Sequence, residues 1–281
     1  MSHDNFLDEA WKKEEGLVKK IVISGSAQEL YDSIPNKEKM APIGGETLEI
    51  ICMDGRFDER GKDGHVFARD GGQGILRDKD GVEKIADGYV KAALELGVGA
   101  IRLTSHGDCG AWGLSGKNQA EGEKYYENLR ATLVHQIAVA GLPIKVVLEH
   151  IPDDEANKEG RGLCRPHIER AAYYVFAPSF NPQAVAGLPT GFVISREYFT
   201  PEYAVTNIAI AIKIAFGGHG FGKRFTAEQP FLLVAVADSE EKSAEAEKEL
   251  ESAKREAMEK YLPNDPEAMN KILATGMIVG S

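Results

Sequence analysis

Apolar and polar positions alternate with two different periods in the middle of this chain. Short β-branched runs predict buried strands, and stretches with apolar residues at helical spacing predict amphipathic helices between them. The predicted strands are Leu48–Met53, Ala100–Thr104 and Ile144–Leu148, and the predicted helices are Val82–Leu96, ending at Gly97, and Glu121–Ala140, ending at Gly141. Strands that alternate with helices of this length predict right-handed βαβ units and a mainly parallel sheet flanked by helices, which is an α/β fold.

The same patterns are weaker on both sides of this region. Helices are predicted at Phe6–Val22, Ala27–Ile34, Pro166–Phe176, Pro201–Phe216 and Glu240–Tyr261, strands at Phe192–Ser195 and Phe231–Val236, and a loop from the end of the first strand through Gly74. No clear internal repeat is visible. We expect an N-terminal helical arm over 1–46, an α/β core over 47–179, and residues 180–281 as an atypical C-terminal extension of the sheet or a small second lobe.

Composition and charge exclude several classes of function. The chain has 281 residues, 43% of them hydrophobic and 27% charged, and a formal net charge of −11. This acidic balance argues against nucleic acid and anionic membranes as partners, because both need a basic face. The first residues lack the basic start and apolar core of a signal peptide, and three widely spaced cysteines do not make a disulfide framework. These features predict a cytoplasmic protein with free thiols.

Three of the residues that follow the predicted strands are good metal ligands. Cys52 ends the first strand, and His106 and Cys109 follow the next one. Ligands in a parallel sheet gather at the carboxyl ends of its strands. Two thiolates and one imidazole suit zinc and leave one tetrahedral position open, which is typical of a catalytic site. Zinc lowers the pKa of a bound water to about 7, so that it becomes a nucleophile for a small electrophile.

Asp54 and Arg56 add a carboxylate and a guanidinium to this set. They lie two and four residues beyond Cys52, and alternate residues of an extended segment point the same way. A carboxylate held by a guanidinium stays ionised and accepts a hydrogen bond from the metal-bound hydroxide. If the pair opened, Asp54 would instead take the fourth metal position and close the site.

The two segments together resemble a known enzyme family. Cys52-Met53-Asp54-Gly55-Arg56 and His106-Gly107-Asp108-Cys109-Gly110 are similar to the C-x-D-x-R and H-x-x-C-G motifs of the β-class carbonic anhydrases, and Ala68–Gly72 looks like the family's R-N-A-G-G segment. The resemblance covers roughly residues 45–150. The metal motif is also similar to that of the ζ class, in which the second cysteine lies further from the histidine than Cys109 does.

The resemblance implies a β-carbonic-anhydrase-like core with Zn²⁺ on Cys52, His106 and Cys109, for which Cd²⁺ or Co²⁺ are possible substitutes. It implies Asp54 and Arg56 as the catalytic pair of a zinc lyase that reversibly hydrates CO2 to bicarbonate and a proton. It also implies a homodimer or a higher homo-oligomer, with CO2 and bicarbonate as the small-molecule partners.

Two alternative functions and two proton carriers remain open from the sequence. Relatives of this family that share its fold hydrolyse CS2 or COS, so the chain is alternatively a hydrolase of these substrates. If Asp54 stayed bound to the metal, the chain would instead be a non-catalytic, zinc-stabilised scaffold or bicarbonate-binding protein. His65 and His219 are candidates for carrying the proton away from the metal, because an unperturbed imidazole has a pKa near 6.5.

Overall fold

Two four-stranded parallel sheets, each flanked by helices, make up the architecture of the chain. The computed structural model describes residues 3–35, 46–54, 65–70, 79–106, 118–151, 168–177, 180–182, 185–217 and 221–279. The helices are α1 His3–Ser24, α2 Ala27–Ser33, α3 Lys79–Leu96, α4 Gln119–Val139, α5 Pro201–Ala215 and α6 Glu240–Lys260. The strands are β1 Thr47–Cys52, β2 His65–Asp70, β3 Ala100–His106, β4 Lys145–Ile151, β5 Ala171–Phe176, β6 Gly191–Ser195, β7 Phe231–Ala237 and β8 Ile272–Ile278.

The first sheet has the strand order β2-β1-β3-β4, with all neighbours parallel. It belongs to a compact unit made of residues 42–165 and 198–200. Apolar side chains of β1 and β3 are buried, among them Leu48, Ile50, Ile101 and Leu103. The parallel order means that the carboxyl ends of all four strands lie along one edge of the sheet.

Local sequence chemistry sets where the helices beside this sheet begin and end. Gly97 adopts a φ of 67° after α3, a conformation that costs glycine little, and the chain turns there into β3. Asn118 and Glu121 form a capping box at the start of α4, in which the Asn118 side chain accepts from the Glu121 backbone at 3.1 Å. These two ends define where α3 stops before β3 and where α4 starts after it.

The second sheet repeats the topology of the first. Its order is β6-β5-β7-β8, again all parallel, and a helix connects its second strand to its third and another connects its third to its fourth. The pairing of the two central strands can also be matched between the sheets. Thr47, the first residue of β1, pairs with Ala100 of β3, and Ala171, the first residue of β5, pairs with Leu232 of β7. The chain therefore contains a structural repeat that the sequence pattern does not reveal.

The N-terminal helices belong to the compact unit of the second sheet, which comprises residues 1–41, 166–197 and 201–281. Glu14 of α1 accepts a hydrogen bond from the backbone N–H of Thr190 at 2.9 Å. The buried guanidinium of Arg170 lies 3.6 Å from the ring centroid of Trp11. Burial raises the pKa of Glu14 and lowers that of Arg170 to about 10. These contacts hold α1 against the strands of this unit.

The predicted α/β class and the strands and helices of the first sheet are confirmed, whereas two other segments differ. The helix predicted over Pro166–Phe176 is wrong, because Ala171–Phe176 is the buried strand β5. The predicted loop through Gly74 is wrong over His65–Asp70, which forms β2. The division expected at residue 179 falls between β5 and β6, two paired strands of one sheet, and the N-terminal arm expected over 1–46 shares a unit with them.

A close backbone approach at Gly191 leads to a stability prediction. A Cβ at this position would lie 2.7 Å from the Ala171 carbonyl oxygen and 2.7 Å from a ring carbon of Tyr173. We expect Gly191→Ala to destabilise the protein by about 1–3 kcal/mol through overpacking, seen as a lower midpoint of urea unfolding.

Gly16 provides the matched control for this substitution. It lies exposed within α1, and a Cβ there would meet nothing within 4 Å. Gly16→Ala is expected to raise the midpoint, because alanine stabilises a helix interior by roughly 0.5–1 kcal/mol relative to glycine. Equal midpoints for the two variants would contradict the close packing at Gly191.

Candidate metal centre

Cys52 and His106 end two neighbouring strands at the carboxyl edge of the first sheet. Cys52 is the last residue of β1 and His106 is the last residue of β3, and these strands are direct neighbours. Both residues are buried, with exposed fractions of 5% and 3%. Two of the three predicted metal ligands therefore end adjacent parallel strands, in the region where such sheets bind ligands.

Asp54 lies two residues beyond Cys52 and is also buried, with an exposed fraction of 4%. Because β1 ends at Cys52, Asp54 lies just beyond the carboxyl end of this strand. Cys109 and Arg56, the remaining ligand and the partner predicted for Asp54, lie outside the described residues. The described part of the predicted site thus consists of a thiol, an imidazole and a carboxyl group.

The strand behind His106 is held by polar contacts to both neighbours. The Thr104 hydroxyl donates to Glu49 Oε1 of β1 at 2.9 Å, and both residues are buried. Arg102 donates to Glu149 Oε2 of β4 at 2.5 Å, the distance of a short ion pair. These contacts fix β3 between β1 and β4, so the position of His106 at the edge is set by the sheet itself.

Sequence reasoning missed a polar cluster next to His106. Ser105 Oγ lies 3.0 Å from Nδ1 of His150, the sixth residue of β4. Nε2 of the same ring lies 3.9 Å from Glu123 Oε1 on α4. The prediction of β4 ended at Leu148, two residues short of His150. A strand prediction extended to residue 151 would have placed this histidine at the same carboxyl edge.

Of the two histidines predicted as proton carriers, the structure describes the backbone position of His65. His65 begins β2 and pairs with Thr47, whereas Cys52 pairs with Asp70 at the other end of the same strands. Five residues of strand separate the two positions, roughly 16 Å at 3.3 Å per residue. His65 therefore lies at the amino edge of the sheet, away from the end of β1 that carries Cys52, and its role as a proton carrier stays a prediction. His219 lies outside the described residues.

The thiol of Cys52 and the imidazole of His106 are suitable zinc ligands, but the predicted site also needs Cys109, which lies outside the described residues. Within the part of the chain that the structure describes, no three His, Cys, Asp or Glu side chains converge as a metal site. Cys52, Asp54 and His106 therefore do not form a complete ligand set by themselves. A thiolate and an imidazole at neighbouring strand ends form two of the three protein ligands of an open zinc site, and Cys109 is the predicted third.

The corresponding edge of the second sheet has different residues. Matching the registers of the two sheets places Phe176 at the position of Cys52 and Asp238 at that of His106. The Arg196 guanidinium lies 4.7 Å from the Phe176 ring centroid and donates to both carboxylate oxygens of Glu249, at 2.7 and 3.0 Å. An aromatic ring and an ion pair therefore lie at this edge of the second sheet. The strand ends of the first sheet carry a thiol and an imidazole at the matching positions.

Comparisons with protein-family models, curated proteins and solved structures found no match. Among the helices that the structure describes, none has both the length and the apolar character needed to cross a bilayer. The case for a function therefore depends on the geometry of the first sheet and on the two sequence motifs at its edge.

Proposed function

We propose that the chain is a zinc-dependent lyase that reversibly hydrates CO2 to bicarbonate and a proton. The observation that supports this most directly is the burial of Cys52 and His106 at the carboxyl ends of two adjacent parallel strands. A buried cysteine alone is often only a small apolar residue. A cysteine and a histidine that end neighbouring strands, each inside one half of a two-part motif, favour a metal site.

The proposal assigns a role to each predicted residue. Cys52, His106 and Cys109 would hold a zinc ion, which would supply a Lewis acid that makes water nucleophilic near neutral pH. Asp54 accepts a hydrogen bond and orients the attacking oxygen toward the substrate. Arg56 keeps the Asp54 carboxylate ionised by its charge. The homo-oligomer and the cytoplasmic location expected from the sequence are part of the same proposal.

Burial of the candidate site suits a small, uncharged substrate. Cys52, Asp54 and His106 are each at most 5% exposed. Electrostatic interactions are stronger where water is excluded, which increases the effect of a fixed carboxylate on a developing charge. CO2 carries no net charge and needs no counter-ion to enter. Bicarbonate, the product, leaves as a monoanion.

The test is stopped-flow CO2 hydration by the zinc-loaded full chain between pH 6.5 and 9, with metal content measured on the same sample. We expect about one zinc per chain and hydration well above the rate of buffer alone. Activity is expected to rise toward alkaline pH, because ionisation of a zinc-bound water near pH 7 would supply more of the nucleophile.

Two other outcomes would overturn this function. Bound zinc without hydration at any pH, together with turnover of COS or CS2 in the same assay, would make the chain a sulfur-substrate hydrolase. Bound zinc without turnover of any of the three substrates would make it a zinc-stabilised, non-catalytic protein.

A further inference from the structure

We propose that β4, the outer strand of the first sheet, pairs with β4 of a second copy of this chain in a symmetric dimer. The two strands run antiparallel, so that two copies of the first sheet join across a two-fold axis. This inference does not rest on the proposed function, because it uses neither the metal nor the substrate. It assigns a surface to the homo-oligomer expected from the sequence.

β4 has one paired side and one open side. It is the last strand in the order β2-β1-β3-β4, and its strand neighbour among the described residues is β3. The backbone N–H of Lys145 donates to the Gly99 carbonyl oxygen at 3.0 Å, just before β3. Backbone groups of successive strand residues point to opposite sides, so Val146 and Leu148 present theirs to the open side. Within the described part of the chain, these outer groups have no hydrogen-bond partner.

The outer strand of the second sheet is protected in a way that β4 is not. β8 ends the order β6-β5-β7-β8, and side chains from helices take its outer backbone groups. The Gln28 amide of α2 accepts from the Ile278 N–H at 2.5 Å and donates to the Ile278 carbonyl oxygen at 3.3 Å. Lys254 of α6 donates to the Ile272 carbonyl oxygen at 3.1 Å. β4 has the same length and the same place in its sheet, but the described residues give it no such cover.

The residues of β4 also favour pairing with another strand. Natural edge strands are commonly protected by proline, by bulges, by short length or by charged side chains. β4 has seven residues without proline or glycine, and Val146, Val147 and Ile151 are β-branched. Val147 is 41% exposed, so its side chain is available to a partner. The charged residues Lys145 and Glu149 lie at equal distances along the strand on either side of Val147.

Charge complementarity selects both the partner and the register. In an antiparallel pair centred on Val147, Lys145 lies opposite the partner's Glu149, and Glu149 lies opposite the partner's Lys145. These three residues alternate along β4 and therefore share one face of the sheet. Opposite charges directly across from each other stabilise a strand pair, whereas like charges destabilise it. Lys145 is exposed and has no ion-pair partner among the described residues, and the Glu149 side chain is 41% exposed beside Arg102.

The backbone directions fit the same register. In an antiparallel pair, residues that exchange two hydrogen bonds alternate with residues that exchange none and whose side chains lie closer together. Centring on Val147 places the outward groups of Val146 opposite those of the partner's Leu148, in a hydrogen-bonded pair. Val147 then faces the partner's Val147 in a close pair. A register centred on Leu148 also matches the backbone, but it places Lys145 opposite Ile151 and loses the ion pairs.

Sedimentation of the full chain tests the pairing through the backbone. We expect the wild-type chain to have the mass of two chains and Val146→Pro the mass of one. Proline removes the outward N–H of residue 146, and proline is tolerated where the N–H of an edge strand faces outward. The control Val146→Ala keeps this N–H and should keep the dimer. A wild-type mass of one chain, or a dimer that Val146→Pro leaves intact, would overturn the proposal.

A charge exchange tests the register in variants that keep every backbone N–H. Lys145→Glu places carboxylates opposite each other in the pair, and we expect its dissociation constant to rise about tenfold. Glu149→Lys does the same with ammonium groups. Mixed in equal amounts, the two variants regain complementary charges in a mixed dimer, which should form at about the wild-type dissociation constant. A mixture that dimerises no better than either variant alone contradicts the proposal, provided that circular dichroism shows both variants folded.

Hydrogen exchange measured by NMR gives a readout in the wild-type chain alone. The outward N–H groups of Val146 and Leu148 should exchange slowly in the dimer and at least about tenfold faster after dilution to the monomer. Slow exchange at both residues in a monomeric chain would mean that another segment of the same chain covers this edge, and the proposal would fail. All of these measurements are made without zinc or substrate, so their outcome is independent of the CO2 hydration assay.

Discussion

Cys52→Ser is expected to remove zinc and CO2 hydration together, with a loss of more than about 100-fold in kcat/KM. Serine has nearly the same size as cysteine, so the buried end of β1 keeps its packing. Its hydroxyl stays protonated at neutral pH and is a poor zinc ligand, whereas a thiolate binds zinc directly. Metal content and stopped-flow rates on the same preparation measure both effects.

The third cysteine of the chain provides the matched control for this substitution. Cys164 lies outside both motifs, so Cys164→Ser should keep its zinc and its rate. Circular dichroism on both variants shows whether the fold is retained. A Cys52→Ser protein that still binds one zinc and hydrates CO2 at the wild-type rate would refute the assignment of Cys52 as a ligand.

Asp54→Asn is expected to keep the metal and lose most of the turnover, by about 100-fold in kcat. Asparagine preserves the shape of this buried side chain but removes its charge and one acceptor oxygen. Without the carboxylate, the attacking oxygen loses the group that orients it. The measurement is kcat in strong buffer, where proton release does not limit the rate, with metal content determined in parallel.

The pH dependence of the Asp54→Asn variant separates the two roles open to Asp54. If Asp54 only blocks the metal at low pH, the variant should gain activity below neutrality. If Asp54 orients the nucleophile, the variant should be slow at every pH. Wild-type activity from pH 6.5 to 9 would exclude both roles.

Local sequence patterns predicted β1, β3 and β4 and the helices α3 and α4 of the first sheet, because each of them is a strong, short-range pattern, but they missed β2. The β-branched run Leu48–Met53 and the helix that ends at Gly97 are both found where they were expected. The same reasoning failed at Pro166–Phe176. Its second half, Ala171–Phe176, is rich in Ala and aromatic residues, and an apolar run of this kind has no period that separates a buried strand from a helix.

The candidate site was predictable only in part. Chain direction alone places Cys52 and His106 at strand ends, since each follows directly on an apolar run. That the two strands lie next to each other depends on strand pairing, in which Thr47 of β1 pairs with Ala100 of β3. The contacts of His150 could not be found from local patterns, because Ser105 and Glu123 come from another strand and from a helix.

The sequence by itself determined the α/β alternation of residues 47–151, the helix ends at glycine and the placement of a thiol and an imidazole at strand ends. These follow from propensity and periodicity within a few residues. Only the tertiary structure decided the strand orders, the repeat of one topology in two sheets, and the place of His65 at the amino edge of the first sheet. Register and strand order depend on contacts between residues far apart in the chain, which no local pattern contains.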